Sequence, residues 1–192
     1  MRLFVALVPP PDVLDELDAF LAPYRAGTPA LRWVRRELLH VTLTFVGETD
    51  DRTLDKLLPR LQRAVARHDR LTLSLAGAGA FPGTGAHARV LWTGLYGDRR
   101  NLVKLAASTS AARRRVGAAA DKHPAFRPHL TLARCRRAPV DVRPLLEPLS
   151  AFASREWTAG TVHLMESRLP AKGRTQVEYE SIRTWPLREP KP

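Results

Sequence analysis

The run "LFVALVP" (3–9) is apolar almost throughout and reads as a buried strand. "PPDVLDELDAFLAPY" then sets apolar residues at 13, 14, 17, 20 and 21, one face of a helix, with Asp12 in its first turn. "LRWV" (31–34) is a short strand and "LHVTLTFVG" (39–47) a longer one. Asp50 and Asp51 open a second helix with apolar positions 54, 57, 58, 61 and 65, in which Pro59 predicts a kink or a late start. A strand pair follows at 71–81 and 88–95, then a helix over about 99–117, a strand at 128–135 and a short helix over about 140–150. Two long strands, 156–169 and 176–187, close the chain as a hairpin around "PAKGRT", and "REPKP" reads as a frayed tail. The order β-α-β-β-α-β-β-α-β-α-β-β is that of a mixed α+β protein with many adjacent strands.

Phosphate-binding glycine loops need a strand-to-helix setting, and the glycines at 77, 79, 83 and 85 lack it, so they read as turn residues. The single cysteine, Cys135, excludes an internal disulfide framework and any multi-cysteine metal site, and predicts a cytoplasmic protein. Three prolines end the first apolar run too early for a signal peptide, and no segment approaches the ~18 apolar residues of a membrane span. Lys and Arg outnumber Asp and Glu by 31 to 19, a net charge of +12 that favours polyanionic partners. The excess is almost all arginine in an alanine-rich chain, so compositional bias is a competing explanation.

One repeat changes the picture. His-Val-Thr-Leu at 40–43 returns as His-Leu-Thr-Leu at 129–132, 129 − 40 = 89 residues on, close to half the chain. With this composition about 0.03 copies of His-apolar-Thr-Leu are expected, so two have a chance probability below about 1 in 1000. Strand side chains alternate, so His40 and Thr42 share one face, as do His129 and Thr131, while the aliphatic residues between them fix register from the other. Were the two strands to meet about a pseudo-two-fold axis, two imidazoles and two hydroxyls would surround one small anionic group. That set suits phosphodiester chemistry without a metal. A neutral histidine takes a proton from the nucleophile and a protonated one gives a proton to the leaving oxygen, while the hydroxyls hold the non-bridging oxygens. Arg134, three residues after Thr131, is the candidate cation. Taken singly, each residue would read as a satisfied core histidine or a strand-favouring threonine; the duplication is what argues for chemistry.

These motifs, together with "RLFVAL", "HVTLTFVG", "FRPHLTLAR" and "LMESRL…YESIRTWPL", resemble the 2H phosphoesterase superfamily, and within it the RNA 2′,3′-cyclic phosphodiesterases once named 2′-5′ RNA ligases. The likeness spans nearly the whole chain. It implies one bilobal α+β domain over 1–192, with two antiparallel sheets facing a central groove, helices outside and one His-x-Thr-x motif per lobe. It also implies hydrolysis of a terminal 2′,3′-cyclic phosphate on RNA to a 2′-phosphomonoester, with no cofactor and no metal. His40 would be the proton donor to O3′, His129 the proton acceptor, and Thr42, Thr131 and Arg134 the phosphate-binding groups. An aromatic near the first motif stacks on the base in such enzymes. Phe45 stands there, but its parity opposes that of His40, which makes it a core residue unless a bulge after Thr44 turns it inward.

Two other functions remain open: a tRNA 2′-5′ ligase running the same chemistry backwards, and a basic RNA-binding module whose motifs are only structural. A monomer with no membrane partner is expected. His87 reads as a solvent-facing turn residue, and His163 as core packing on the sheet surface of the motifs. His68 and His123 sit near helix ends, where an imidazolium would suit the dipole. Arg113–Arg115, with Arg134, Arg136 and Arg137, make two short basic runs; a solvated helix face is the default for the first, and tracking of an RNA phosphate backbone is the functional alternative. Trp33 and Trp92 are candidates to stack bases at a groove edge, with burial as the alternative.

Overall fold

The computed structural model describes residues 1–117, 126–170 and 176–190. Its strands are β1 (Arg2–Leu7), β2 (Leu31–Trp33), β3 (Val41–Glu48), β4 (Leu71–Phe81), β5 (Val90–Gly97), β6 (His129–Cys135), β7 (Trp157–Ala159), β8 (Thr161–Arg168) and β9 (Glu178–Pro186). The helices are α1 (Pro11–Ala26), α2 (Asp51–Val65), α3 (Arg99–Arg114) and α4 (Arg143–Ser150). The Asp50 side chain caps α2 by accepting from Thr53 N at 2.7 Å, and the helix continues past Pro59 rather than starting late. No helix among the described residues is long and apolar enough to cross a membrane. His123, most of the expected hairpin turn and the last two residues lie outside the described residues.

The strands form one antiparallel sheet in the order β7-β4-β5-β6-β3-β1-β8-β9, with β2 paired to β6. This corrects the expectation of two sheets. The halves β7-β4-β5-β6 and β3-β1-β8-β9 are joined at the motif strands by one residue pair, Val41 with Leu130. The strands splay beyond it, and β2 takes the edge of β6 that β3 has left. The expected strand 156–169 breaks at Gly160, because its first part pairs with β4 and its second with β1. Those partners lie in opposite halves, yet only Gly160 separates β7 from β8. The sheet therefore curls until its ends meet at that corner.

Helices cover the outer face by crossing over. α1 follows β1 but sets Leu17 and Leu21 beside Thr93 of β5 and Leu132 of β6, with Phe20 packed on Phe152 at 5.0 Å. α3 follows β5 but packs on β3, where Thr109 Oγ1 and Thr44 Oγ1 lie 2.8 Å apart and both hydroxyls reach the Ala106 carbonyl. Each motif strand is thus backed by a helix that enters from the other half. A single apolar core of leucine, valine and alanine side chains lies between sheet and helices, and a small second cluster of Phe4, Ala6 and Met165, with Tyr179 against it, lies on the opposite face of β1 and β8.

Gly77 and Gly79, expected as turn residues, lie inside β4. Gly77 has φ +72° where the pairing with β5 slips between Ala76 and Gly79. A Cβ on Gly79 would come within 2.1 Å of the Trp92 ring, so glycine there lets the indole lie across β4.

Candidate active site

The two motif strands open onto a groove of about 970 Å³, enough for a nucleotide-sized ligand. His40, Thr42, His129, Thr131 and Arg134 all line it. Phe45 does as well, and the reason lies in the sheet. Along β1, Ala6 pairs with Thr42 but Val5 pairs with Thr44, so Leu43 is an extra residue on β3. Along β5, Trp92 pairs with Thr131 but Leu91 pairs with Ala133, so Leu132 is an extra residue on β6. The repeat therefore includes a β-bulge at the same place in both copies. A bulge shifts the alternation by one, turning the sixth residue of each copy to the face of the first. Phe45 is 45% exposed at the groove, which corrects its reading as a core residue. In the second copy the same step delivers Arg134. The alternative considered for Phe45, a bulge that turns it inward, is what the pairing shows, one residue before Thr44 rather than after it.

Each histidine is fixed in the same manner. His40 Nδ1–H donates to the Leu38 carbonyl and His129 Nδ1–H to the Arg127 carbonyl, both at 2.7 Å. A carbonyl can only accept, so Nδ1 carries the proton in the neutral ring and Nε2 is left to the chemistry. Thr42 Oγ1 accordingly donates to His40 Nε2 at 3.0 Å. The His40 ring sits between Phe4 at 4.7 Å and Tyr179 at 5.2 Å, and the His129 ring beside Phe81 at 5.0 Å and Trp92 at 6.2 Å. Burial pushes His40 down to about 4; its bond to Leu38 opposes this, while the Arg134 and His129 charges add to it. His129 is also lowered, again mainly by burial, with Arg134 adding to it against the bond to Arg127. Burial thus favours the neutral form of both rings, and the Arg134 charge reaches both.

The groove wall is strongly cationic. Arg2, Arg32, Arg35, Arg113 and Arg134 line it, and no Asp or Glu does among the described residues. Arg113 is only 4% exposed, which corrects its reading as part of a solvated helix face. No group of His, Cys, Asp and Glu suited to a metal ion occurs among the described residues.

Other sequence candidates divide. Trp33 lines the groove with its Nε1 donating to Thr28 Oγ1 at 2.9 Å, whereas Trp92 lies beside His129 without forming the groove wall. His163 shares the sheet face of Thr42, since both pair with Ala6, but Nδ1 lies 3.0 Å from Ser181 Oγ rather than in the core. His87 is exposed, as expected. His68 Nε2 lies 2.9 Å from Ser108 Oγ, and burial followed by the Arg67 charge lowers its pKa, so the expected imidazolium is disfavoured. Phe4 and Tyr179, which wall His40, were missed by the sequence reading. Phe4 is hidden in a run apolar on both faces, and Tyr179 is brought in only by the β8–β9 pairing.

A family model described as the 2′-5′ RNA ligase superfamily matches residues 9–170. Among curated proteins, an RNA 2′,3′-cyclic phosphodiesterase of Archaeoglobus fulgidus is 31% identical over 176 residues, covering 90% of this chain and 94% of the relative. One from Escherichia coli is 29% identical over 193 residues, covering 97% of this chain and 96% of the relative. The crystal structure of E. coli LigT complexed with 3′-AMP is similar with a TM-score of 0.78 at 26% identity, covering 97% of each chain. The duplicated motif, its duplicated bulge and a likeness that runs along nearly the whole sequence agree: the chain belongs to the 2′-5′ RNA ligase superfamily of 2H phosphoesterases.

Proposed function

We propose that the protein is an RNA 2′,3′-cyclic phosphodiesterase that opens the terminal ring to a 2′-phosphomonoester by two-histidine acid–base catalysis without a metal. The observation that carries this is the mirrored pair of Nδ1–carbonyl bonds, which leave two imidazole Nε2 atoms for one cationic groove. The activity named for its relatives accords with it.

In this mechanism His129 Nε2 takes a proton from water as the water oxygen attacks phosphorus. The P–O3′ bond breaks and His40 Nε2 gives its proton to O3′. Thr42, Thr131 and Arg134 stabilise the charge that grows on the non-bridging oxygens. Proton exchange with solvent then restores both rings. Phe45 stacks on the terminal base. The donor role requires His40 to be protonated, although burial favours its neutral form. The phosphate supplies the countercharge: seated between Arg134 and the ring, it offsets the cationic repulsion and accepts a hydrogen bond from Nε2–H. The two halves of the sheet act as pseudo-symmetric lobes of one unit, and a monomer suffices because one chain supplies every group.

The test is incubation with an oligoribonucleotide ending in a 2′,3′-cyclic phosphate, in the presence of EDTA. A 2′-phosphate product is expected. A 3′-phosphate would exchange the histidine roles, and no hydrolysis at any pH would sink the assignment. Adding RNA with a 5′-hydroxyl separates hydrolysis from ligation.

A further inference from the structure

We propose that Arg32 forms a second phosphate subsite, which holds an internucleotide phosphate of the RNA upstream of the cyclic end and makes the enzyme prefer oligonucleotides to mononucleotides. The inference rests on the reading of the groove as a site for RNA 2′,3′-cyclic phosphate.

The argument starts from the β2–β6 pairing, where Arg32 stands directly opposite Arg134. Opposed residues of antiparallel strands share a face, their Cα atoms about 4.5–5.5 Å apart. Like charges so placed destabilise the pair unless something of opposite sign lies over them. No carboxylate does so here: neither guanidinium makes an ion pair among the described residues, and no Asp or Glu among them lines this groove. Arg35, nearby on the same wall, is already engaged by Glu37 at 2.9 Å and by the Val177 carbonyl at 2.8 Å. Among the described residues Arg32 and Arg134 are thus a cationic pair with no counter-charge over them.

The charge of Arg134 reaches both histidines. Arg32 is paired at the Arg134 end of β6, at the far end of that strand from His129 and past the point where β3 leaves it, while still lining the same groove. The next anion available there is the phosphodiester one step along the strand. An exposed arginine on a three-residue strand also has the freedom to follow a flexible backbone.

The test compares Arg32→Ala with the wild type on two substrates, a nucleoside 2′,3′-cyclic monophosphate and a short oligoribonucleotide with the same cyclic end. The variant is expected to keep mononucleotide kcat/KM within about twofold and to lose roughly tenfold on the oligonucleotide, with Arg32→Lys recovering part of the loss. The log–log dependence of oligonucleotide kcat/KM on salt should flatten by about 0.7, the share of one phosphate contact on a single strand. Equal losses on both substrates, or no loss on either, would overturn the subsite. So would an unchanged salt slope. Wild-type protein that hydrolyses neither substrate would overturn the reading of the groove itself, and mononucleotide turnover by the variants reports that they are folded.

Discussion

The two motif copies, 40–45 and 129–134, share their first four positions in type and each bulges at the fourth, but at the sixth one presents Phe45 and the other Arg134. The same backbone device thus delivers an aromatic ring to the groove from β3 and a guanidinium from β6. Their histidines differ more quietly. His40 is packed between Phe4 and Tyr179, is hydrogen-bonded to Thr42 and is lowered to about 4, while His129 lies beside Phe81 and Trp92. In the proposed mechanism duplication supplies a symmetric acid–base frame, but a cyclic phosphate is not symmetric: it has a base on one side and a leaving oxygen on one side. Divergence at the sixth position and in the packing of the rings gives the frame a direction.

The largest effects should fall where the copies agree. His40→Ala and His129→Ala are each expected to lower single-turnover hydrolysis by about 10²–10⁴-fold, with circular dichroism unchanged. If one variant kept wild-type turnover, the frame would have a single working half. Smaller and unequal losses are expected where the copies differ. Arg134→Gln removes a charge-assisted contact to the phosphate and should cost about a hundredfold in kcat/KM. Phe45→Ala removes one stacking surface and should raise KM by roughly tenfold, leaving kcat nearly unchanged. The exchange variant Phe45→Arg/Arg134→Phe restores neither if the walls hold different parts of the substrate. Recovery in that variant would show that the groove needs only one cation and one ring, in either order.

Much of this was legible in the sequence, and the failures share a cause. Periodicity located the helices and most strands because helix faces and strand alternation are local properties, and the repeat marked His40, Thr42, His129 and Thr131 because a four-residue coincidence needs no structure to be noticed. Neither bulge could be placed from the sequence, where one near Phe45 stands only as an alternative. Leu43-Thr44 and Leu132-Ala133 continue an apolar run without interruption, and only the pairing with β1 and β5 shows that two residues oppose one. Strict alternation from His40 therefore puts Phe45 on the wrong face. Arg113 was read as solvated because a helix pattern does not say what another half of the chain lays over it, and here α3 crosses to pack on β3. The single sheet and the break at Gly160 were hidden for the same reason, since which strand pairs with which is a non-local fact.

The smallest effects concern protons, and they separate the two histidines most sharply. An unfolded chain binds a proton at each histidine near pH 6.5. Folded His40 does so only near 4. Between these values the unfolded state holds the extra proton, so the His40 contribution to stability is complete above about pH 6.5 and is lost as the pH falls towards 4. His129 adds in the same direction. Thermal melts should therefore show Tm falling across this window, by about 2–4 °C for each kcal/mol lost in a domain of this size. His40→Asn should flatten the fall more than His129→Asn. A flat profile in the wild type would mean that neither ring is held neutral by the fold. NMR titration of the histidine resonances completes the comparison: with inorganic phosphate bound, the His40 pKa should rise well above 4, so that binding takes up a proton below neutral pH. If it stayed near 4 while that of His129 rose, the second strand would carry the acid and the first the base, and the direction of the frame would be reversed.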